Sequence, residues 1–255
     1  MLLAIDVGNT HTVMGVYRGA DLLHMWRVAT NKRDTADELR MKVLPLMMAD
    51  GIELGELRGA ALASVVPALT MAWTGAIERL LGKKPLLCNA QSAGKLFETT
   101  YVNPSEIGAD RVADAVAARE LYGAPVVVVD FGTATNIEVV DKDGMFVGGI
   151  IAPGLETSAA ALFSHATKLP AIDLVDPGVA IGTNTTTAMQ SGIVYGEADR
   201  VDGFVRRIFD QLGYTATVVA TGGLAARMAP LCKSIDVTNS ELTLEGLRLV
   251  FAANE

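Results

Sequence analysis

Two segments of the chain each combine an aspartate, a glycine and a hydroxyl residue in a pattern that suits phosphate chemistry. The first is Asp-Val-Gly-Asn-Thr at residues 6–10, and the second is Asp-Phe-Gly-Thr at residues 130–133, 124 positions later. Glycine allows a ligand to approach the backbone closely, and successive N–H groups of a turn can line a concave anion site. A carboxylate beside such a turn would repel a bare phosphate but suits one that arrives with a metal ion. The two segments therefore indicate a metal–phosphate site.

Each segment also has a simpler interpretation, as a turn or a helix N-cap. What favours a function is the repetition of the surrounding unit, because an apolar strand, the Asp-x-Gly turn and a second apolar strand occur at both places. Composition alone rarely repeats a whole unit of this kind. A repeat at half the chain length also indicates two similar halves rather than a solenoid, whose repeats are roughly 20–50 residues long.

Two further segments contain candidate ligand-binding residues. Thr221-Gly222-Gly223 follows an apolar run, and its glycines could let a purine lie flat against the backbone or could simply form a turn. Asp110 and Arg111 lie at the predicted start of a helix, after Gly108. They suit a general base beside an anion-binding guanidinium. They equally suit an acidic first turn that complements the helix dipole, with an ion-pair partner, and the residues alone leave both interpretations open.

Motifs that the chain lacks exclude several classes of enzyme. There is no G-x-x-x-x-G-K-[ST] segment and no G-x-G-x-x-G after a strand. The three histidines are scattered, so no Ser–His–Asp arrangement supports a hydrolase with a protein nucleophile. Without a P-loop lysine, the site must use metal ions and backbone N–H groups. This predicts weak nucleotide binding, with a KM for ATP toward or above the upper end of the usual range of roughly 1 μM to 1 mM.

The elements that must position these residues have the order of an α/β protein with mixed sheets. Thr35 and Glu38 form the S/T-x-x-E pattern of a capping box, which predicts a helix beginning at residue 36. The other predicted helices cover residues 68–81, 109–122, 156–163, 189–212, 224–228 and 242–251. The predicted strands cover residues 2–5, 13–17, 21–29, 59–65, 84–88, 126–129, 145–151 and 216–220, with a further strand that follows the second Asp-x-Gly turn and ends at residue 140.

Composition limits the partners of the protein. The 255 residues are 50% hydrophobic and carry a formal charge of −8, which argues against nucleic-acid binding. Cys88 and Cys232 have no metal-ligand spacing and are most simply free thiols of a reducing compartment. No apolar run approaches the roughly 18 residues of a membrane span, and no signal peptide is evident. We therefore expect a cytoplasmic protein without membrane or nucleic-acid partners.

The combination of motifs resembles one family over essentially the whole chain. Two Asp-x-Gly turns and a late Thr-Gly-Gly resemble the superfamily of acetate and sugar kinases, heat-shock chaperones and actin. Further segments make the sequence similar to the type III pantothenate kinases, and Gly-Ala-Asp-Arg and Ile-Gly-x-Asn-Thr are specific to that family. These segments are residues 6–10, 101–111, 130–135, 148–154, 168–170 (Lys168-Leu169-Pro170), 181–185, 188–192 and 242–247.

The resemblance implies a fold, an activity and a set of partners. It implies two ribonuclease H-like α/β domains with mixed central sheets, at residues 1–115 and 116–255, with an ATP cleft between them. It implies ATP-dependent phosphorylation of pantothenate to 4'-phosphopantothenate, the first step of coenzyme A synthesis. Expected cofactors are Mg²⁺ with ATP and a monovalent cation, K⁺ or NH₄⁺. Family members are homodimers, so a homodimer is expected here too, with the loop around Thr185 reaching toward the partner subunit.

The resemblance also implies roles for individual residues. Asp110 would be the catalytic base, Asp130 would hold the monovalent cation, and Asp6 would be associated with the divalent ion of the nucleotide. The expected ATP-binding residues are Asp6, Val7, Gly8, Asn9, Thr10, His11, Thr12, Val13 and Thr133. The expected pantothenate-binding residues are Tyr101, Gly108, Ala109, Asp110, Arg111 and Thr185.

Three positions depart from the usual family pattern, and two other functions compete with the kinase. The departures are Asn136, His165 and residues 89–94, which lack the Gly-Pro-Gly of many members. The competing functions are a non-catalytic regulatory relative of the same family and a phosphohydrolase of the same superfamily. Intact Asp6, Asp110 and Asp130 favour the enzyme over the regulator, and the acidic balance disfavours a polyanion channel of the hydrolase kind.

Overall fold

A computed structural model describes residues 1–166 and 169–255 of the chain. Lys168, which contributes to the family resemblance, lies outside the described residues. The chain divides into two compact units, the first made of Met1–Glu120 and Leu242–Glu255 and the second of Leu121–Glu241. The expected domain division between residues 115 and 116 stays a prediction, but it assigns the last helix to the second half, whereas that helix packs within the first unit.

The first unit is built on a five-stranded mixed sheet. Its strands are β1 (Leu2–Val7), β2 (His11–Arg18), β3 (Asp21–Ala29), β4 (Gly59–Ser64) and β5 (Leu86–Leu87), and their spatial order is β3-β2-β1-β4-β5. The first three strands pair antiparallel, while β4 and β5 run parallel to β1. The predicted strand at residues 84–88 is therefore present but limited to two residues, beside α3 (Ala90–Ala93).

Helices cover this sheet and close a mainly aliphatic core. They are α1 (Ala36–Ala49), α2 (Pro67–Leu81), α4 (Ala109–Tyr122) and α9 (Leu242–Ala252), with 3₁₀ turns at Leu54–Glu56, Gly94–Leu96 and Pro104–Glu106. The capping box expected at Thr35 and Glu38 is confirmed, since both reciprocal hydrogen bonds form. Gly246 allows α9 to approach α4 closely, because a Cβ there would overlap the backbone of Ala113.

The second unit repeats the strand order of the first. Its strands are β6 (Val126–Phe131), β7 (Ala134–Val140), β8 (Phe146–Pro153), β9 (Thr217–Thr221) and β10 (Val237–Thr238), in the order β10-β9-β6-β7-β8. Again three strands are antiparallel, and the last two run parallel to the first. The predicted duplication of a mixed sheet is confirmed. β6 is buried at five of its six positions, which explains its continuous run of valines.

One long helix expected over residues 189–212 is interrupted in the structure. The segment comprises α6 (Thr185–Gln190), a π-helix (Ser191–Tyr195) and α7 (Gly196–Leu212). Around the interruption, Gln190 donates to the carbonyl of Asp173 at 2.8 Å and Ser191 to that of Ala180 at 2.7 Å. These bonds fasten the preceding loop to the helix. The other helical segments of this unit are α5 (Leu155–His165), α8 (Ala225–Met228) and a 3₁₀ turn at Ala229–Leu231.

Candidate active site

The first Asp-x-Gly segment connects β1 to β2 as a tight loop. The N–H of Gly8 donates to the carbonyl of His11 at 3.0 Å, and Asp6 lies in β1 opposite Val13 of β2. Asp6 is therefore a strand residue rather than the first residue of the turn. Asn9, Thr10 and His11 are exposed at the tip of the loop, whereas Thr12 is buried. The exposed tip is free of bulky apolar side chains, as a phosphate-binding loop requires.

The second segment occupies the equivalent place in the second unit, between β6 and β7. Asp130 lies in β6 opposite Asn136, and the N–H of Gly132 donates to the carbonyl of Ala134 at 3.0 Å. Thr133 is exposed at the tip of this loop. The two segments thus connect the same pair of strands in two sheets of the same order.

The segment around Asp110 begins α4 in the first unit. The backbone N–H of Arg111 donates to Asp110 Oδ1 at 2.8 Å, and the N–H of Val112 donates to the carbonyl of Gly108 at 3.0 Å. A Cβ at Gly108 would lie 2.6 Å from Asp110 Oδ1, so only glycine leaves room for this carboxyl position. The absent side chain at Gly108 is therefore what lets the Asp110 carboxyl fold back over the helix start.

The electrostatics of this helix start favour a basic carboxylate. Burial raises the pKa of the Asp110 carboxyl above its ordinary value, while the backbone N–H and the buried guanidinium of Arg111 oppose the shift. A carboxylate with a raised pKa accepts a proton more readily than an exposed one. A pKa nearer to the working pH is what general-base catalysis calls for.

Asp6 and Asp110 both lie near the buried thiol of Cys88. Burial raises the pKa of this thiol to about 12, and the charges of Asp110, Asp114 and Asp6 contribute to the increase in that order. Cys88 is therefore an unreactive thiol rather than a nucleophile. The end of β1 and the Asp110 segment, which are distant in the sequence, both lie beside Val65: its N–H donates to the carbonyl of Val7 at 3.1 Å, and a Cβ at Gly108 would lie 3.6 Å from its Cγ1.

Two other expected pantothenate residues belong to different units. Tyr101, in the first unit, is half-buried, and its N–H donates to Thr99 Oγ1 at 3.0 Å. Thr185, in the second unit, is exposed at the first position of α6. It lines a groove with Leu162, Leu169 and Met189.

Several residues that support the second loop were not expected from the sequence. The carbonyl of Thr133 accepts from the N–H of Gly154 at 3.0 Å and from the hydroxyl of Thr157 at 2.6 Å. A Cβ at Gly154 would lie 2.7 Å from that same carbonyl oxygen. The pairing of β7 with β8 accounts for these contacts. β8 ends at Pro153 opposite Ala134, so the residues after Pro153 must lie beside the loop between β6 and β7.

A buried ion pair lies beneath the same loop. Glu197 of α7 accepts from the hydroxyl of Thr135 at 2.5 Å and forms an ion pair with Arg200, and both Thr135 and Glu197 are buried. Arg200 also donates to the carbonyl of Pro153 at 2.5 Å. No periodicity distinguishes Glu197 from a solvent-facing helix residue, so sequence reasoning had no signal for it.

The residues that depart from the family pattern lie in a strand, at the end of a helix and at a helix N-cap. Asn136 lies in β7, His165 is the last residue of α5, and Asn89 caps α3 by accepting from the N–H groups of Gln91 and Ser92 at 2.9 Å.

Among the described residues no group of three or more His, Cys, Asp and Glu is arranged to hold a metal ion. Within the same residues, no helix is both long enough and apolar enough to cross a bilayer.

Comparison with solved structures defines the class of fold. Over its whole length the chain is similar to a ROK hexokinase from Thermus thermophilus, with a TM-score of 0.52, 15% identity and coverage of 99% of that chain. It is also similar to component A of (R)-2-hydroxyglutaryl-CoA dehydratase from Acidaminococcus fermentans, with a TM-score of 0.56, 15% identity and 99% of that chain covered. The fold is that of the actin and sugar kinase class, with duplicated ribonuclease H-like domains, as predicted.

Sequence comparison then identifies the family. The family model for type III pantothenate kinase matches residues 2–207. The chain is 45% identical to the type III pantothenate kinase of Moorella thermoacetica over the full length of both, and 45% identical to that of Brevibacillus brevis, again over both full lengths. The chain belongs to the type III pantothenate kinase family. The predicted function, ATP-dependent phosphorylation of pantothenate in coenzyme A synthesis, is thereby confirmed.

Proposed function

We propose that Asp110 is the general base of pantothenate phosphorylation. The observation that carries this proposal is the position of its carboxyl at the start of α4, held by the N–H of Arg111 and raised in pKa by burial. A carboxylate near the attacking primary hydroxyl accepts its proton as the phosphoryl group is transferred. The oxygen of that hydroxyl attacks the terminal phosphorus in line with the leaving ADP oxygen, and no phosphoenzyme is formed.

The two loops hold the phosphates of ATP in this proposal. Backbone N–H groups of residues 6–13 and the exposed side chain of Thr133 supply donors, and Asp6 faces the divalent ion that accompanies the nucleotide. The duplication of the strand–loop–strand unit supports this, because each unit presents one such loop at the end of its first strand.

Asp130 is assigned as a ligand of the monovalent cation. Gly222 lies directly against this carboxyl, since a Cβ at position 222 would overlap Asp130 Oδ1 and lie 2.7 Å from the carbonyl oxygen of Phe131, so a carboxylate oxygen and a carbonyl oxygen lie near each other at the end of β6. K⁺ or NH₄⁺ bound there would supply positive charge near the phosphates. Carboxylate and carbonyl oxygens are suitable ligands for such an ion.

Pantothenate is assigned to residues 108–111 together with Tyr101 and Thr185. Arg111 would position the anionic acceptor by a charge-assisted hydrogen bond. The chain would act as a homodimer, with the loop around Thr185 reaching toward the partner subunit. Exposed apolar side chains of the second unit support such a partner surface; they are Ile151, Leu162, Val175, Val179 and Ile181.

One assay tests the proposal and its competitors together. Consumption of ATP by purified protein is measured with and without pantothenate, in potassium and in sodium buffer. The kinase requires pantothenate for turnover. ATP consumption that is independent of pantothenate would indicate the phosphohydrolase, and absence of turnover under all conditions would indicate the regulatory relative.

A further inference from the structure

The first phosphate loop has a neighbour in the chain that comes from the end of β3. β2 pairs antiparallel with β3, and His11, the first residue of β2, lies opposite Ala29, the last residue of β3. Residues that follow Ala29 must therefore lie beside the residues that precede His11. The N–H of Thr30 donates to the carbonyl of Thr10 at 2.9 Å, and the hydroxyls of Thr30 and Thr12 are hydrogen-bonded at 2.9 Å.

The segment that continues from Thr30 is held in one conformation by its own polar groups. Asn31 donates through Nδ2 to Asp34 Oδ1 at 3.0 Å and accepts the N–H of Arg33 at 3.1 Å. Asp34 is 8% exposed and forms an ion pair with Lys42 of α1. A buried carboxylate with two partners fixes the turn at residues 31–34 against the first turns of α1.

This turn places one cation directly on the phosphate loop. Lys32 Nζ donates to Asn9 Oδ1 at 3.1 Å, and both residues are exposed. Asn9 lies at the tip of the loop that is expected to surround the phosphates. The ammonium group therefore lies beside the loop whose backbone N–H groups are expected to bind the triphosphate.

The second unit has an equivalent arrangement around its own loop. There the residues after the third strand also donate to the phosphate loop, since the hydroxyl of Thr157 and the N–H of Gly154 both bind the carbonyl of Thr133. In both units, the residues that follow the third strand therefore support the loop between the first and second strands. In the first unit that place is occupied by a charged donor, whereas in the second it is occupied by neutral donors.

The negative charges around the phosphate loop explain why the ammonium group of Lys32 would be useful there. Asp6 and Asp110 both act electrostatically on Cys88 of this unit, and the whole chain carries a formal charge of −8. ATP brings several more negative charges, and an ammonium group near phosphate oxygens offsets them. Lysine binds phosphate as a compact point charge with three donors, and its flexible stem lets it move from an amide oxygen to a phosphate oxygen.

We propose that Lys32 is an ATP-binding residue, whose ammonium leaves Asn9 Oδ1 and binds a phosphate oxygen of the nucleotide held by the first loop. This rests on the proposed assignment of residues 6–13 to ATP. Lys32 takes the role of the lysine that the chain lacks within the loop itself. It stabilises the transition state as well as the bound nucleotide, since charge shifts toward the leaving oxygen during transfer.

The test compares Lys32→Met and Lys32→Arg with Arg33→Met. Arg33 is the adjacent exposed cation, so its replacement removes the same net charge from the same turn. For each protein we would measure kcat, the KM values for ATP and pantothenate, the melting temperature, and the dissociation constants of ATP and adenosine by isothermal titration calorimetry. Adenosine carries no phosphate and therefore reports on the rest of the nucleotide site.

Lys32→Met is expected to raise the KM and the dissociation constant of ATP by roughly tenfold to a hundredfold, the size of a lost charged hydrogen bond. The KM of pantothenate, adenosine binding and the melting temperature should stay near wild-type values, as should all parameters of Arg33→Met. Lys32→Arg should retain most of the ATP affinity. Equal ATP affinity in Lys32→Met and Arg33→Met would overturn the proposal.

The binding measurements separate this proposal from the function itself. If wild-type protein consumed no ATP with pantothenate but Lys32→Met still bound ATP more weakly than Arg33→Met, the Lys32 proposal would stand and the assigned reaction would fail. If wild-type turnover required pantothenate and Lys32→Met had unchanged ATP parameters, the reverse would hold.

Discussion

Gly222 lies against Asp130, so that a Cβ at position 222 would overlap the Oδ1 atom of that carboxyl and lie 2.7 Å from the carbonyl oxygen of Phe131. The backbone at Gly222 has a φ of +91°, in the region that glycine adopts most readily. The Thr-Gly-Gly segment therefore has a use beyond the purine contact expected from sequence. Its first glycine lets the backbone lie directly against the carboxyl that is proposed to bind the cation.

Replacing Gly222 by alanine is predicted to displace the Asp130 carboxyl and lower kcat/KM by about a hundredfold, as misplacement of a site group by about 1 Å can do. Gly213→Ala is the matched control. Its φ is +77°, but a Cβ there meets nothing within 4 Å. Both variants lose about 1–2 kcal/mol from left-handed strain, so steady-state kinetics on both, at a temperature where both are folded, isolates the contacts of the added Cβ with Asp130 and the Phe131 backbone. Equal activities would contradict it.

Asp110→Asn is predicted to lower kcat by roughly 10²–10⁴-fold while the fold is retained, because the amide keeps an oxygen for the N–H of Arg111 but cannot accept the proton. In the wild type, kcat/KM should fall at low pH with an apparent pKa above that of an ordinary aspartate. Asp114→Asn, one turn further along α4, should leave that pH profile in place. A near wild-type rate for Asp110→Asn would remove Asp110 from the role of base.

The raised pKa of Asp110 also predicts how stability depends on pH. Its folded-state pKa lies above its unfolded-state pKa of about 3.9, so the native state binds the proton more tightly. The contribution of this group to stability is therefore most favourable below the unfolded-state pKa and is lost as the pH rises through the folded-state pKa. Asp110→Asn should raise the melting temperature at neutral pH relative to wild type, and the gain should shrink on acidification. A gain that grew on acidification would contradict the direction of the shift.

Activity is predicted to depend on the monovalent cation through Asp130. Wild-type turnover should be higher in potassium than in sodium at equal ionic strength. Asp130→Asn, which removes the charge but keeps the shape, should lose this difference and most of the activity, because the ion would lack its anionic ligand. The measurement is initial rate against KCl concentration at constant total salt. Identical rates of the wild type in both salts would refute the assignment of Asp130.

Glu197→Gln is predicted to destabilise the second unit by about 1.5–3 kcal/mol, because the buried carboxylate of Glu197 accepts charge-assisted hydrogen bonds from both Thr135 and Arg200. Glu120→Gln, which breaks the more exposed pair with Arg119, should change stability by at most about 1 kcal/mol. Urea unfolding followed by circular dichroism compares the two. Equal urea midpoints for Glu197→Gln and Glu120→Gln would show that the Glu197–Arg200 pair does not stabilise the loop between β6 and β7.

Much of the fold follows from local patterns. The two Asp-x-Gly turns, the apolar strands around them and the Thr35 capping box were all predicted, since each depends on residues that are close in the sequence. The π-helix within the helix over residues 189–212 was not predicted; beside it, Gln190 and Ser191 bind carbonyls of the preceding loop, and no periodicity of the helix indicates those contacts. The placement of α9 against α4 was missed for the same kind of reason.

For this protein, the sequence by itself determined the duplication and the family and predicted phosphate binding by both loops, because repeated motifs and hydrophobic periodicity are properties of short stretches of chain. Only the tertiary structure decided which residues support those loops. Lys32, Thr157, Glu197 and Gly222 are all distant in the sequence from the loop residue that each one contacts or supports, namely Asn9, Thr133, Thr135 and Asp130. Strand pairing and helix packing bring them there, and no local pattern distinguishes Lys32, Thr157 or Glu197 from ordinary turn or surface residues.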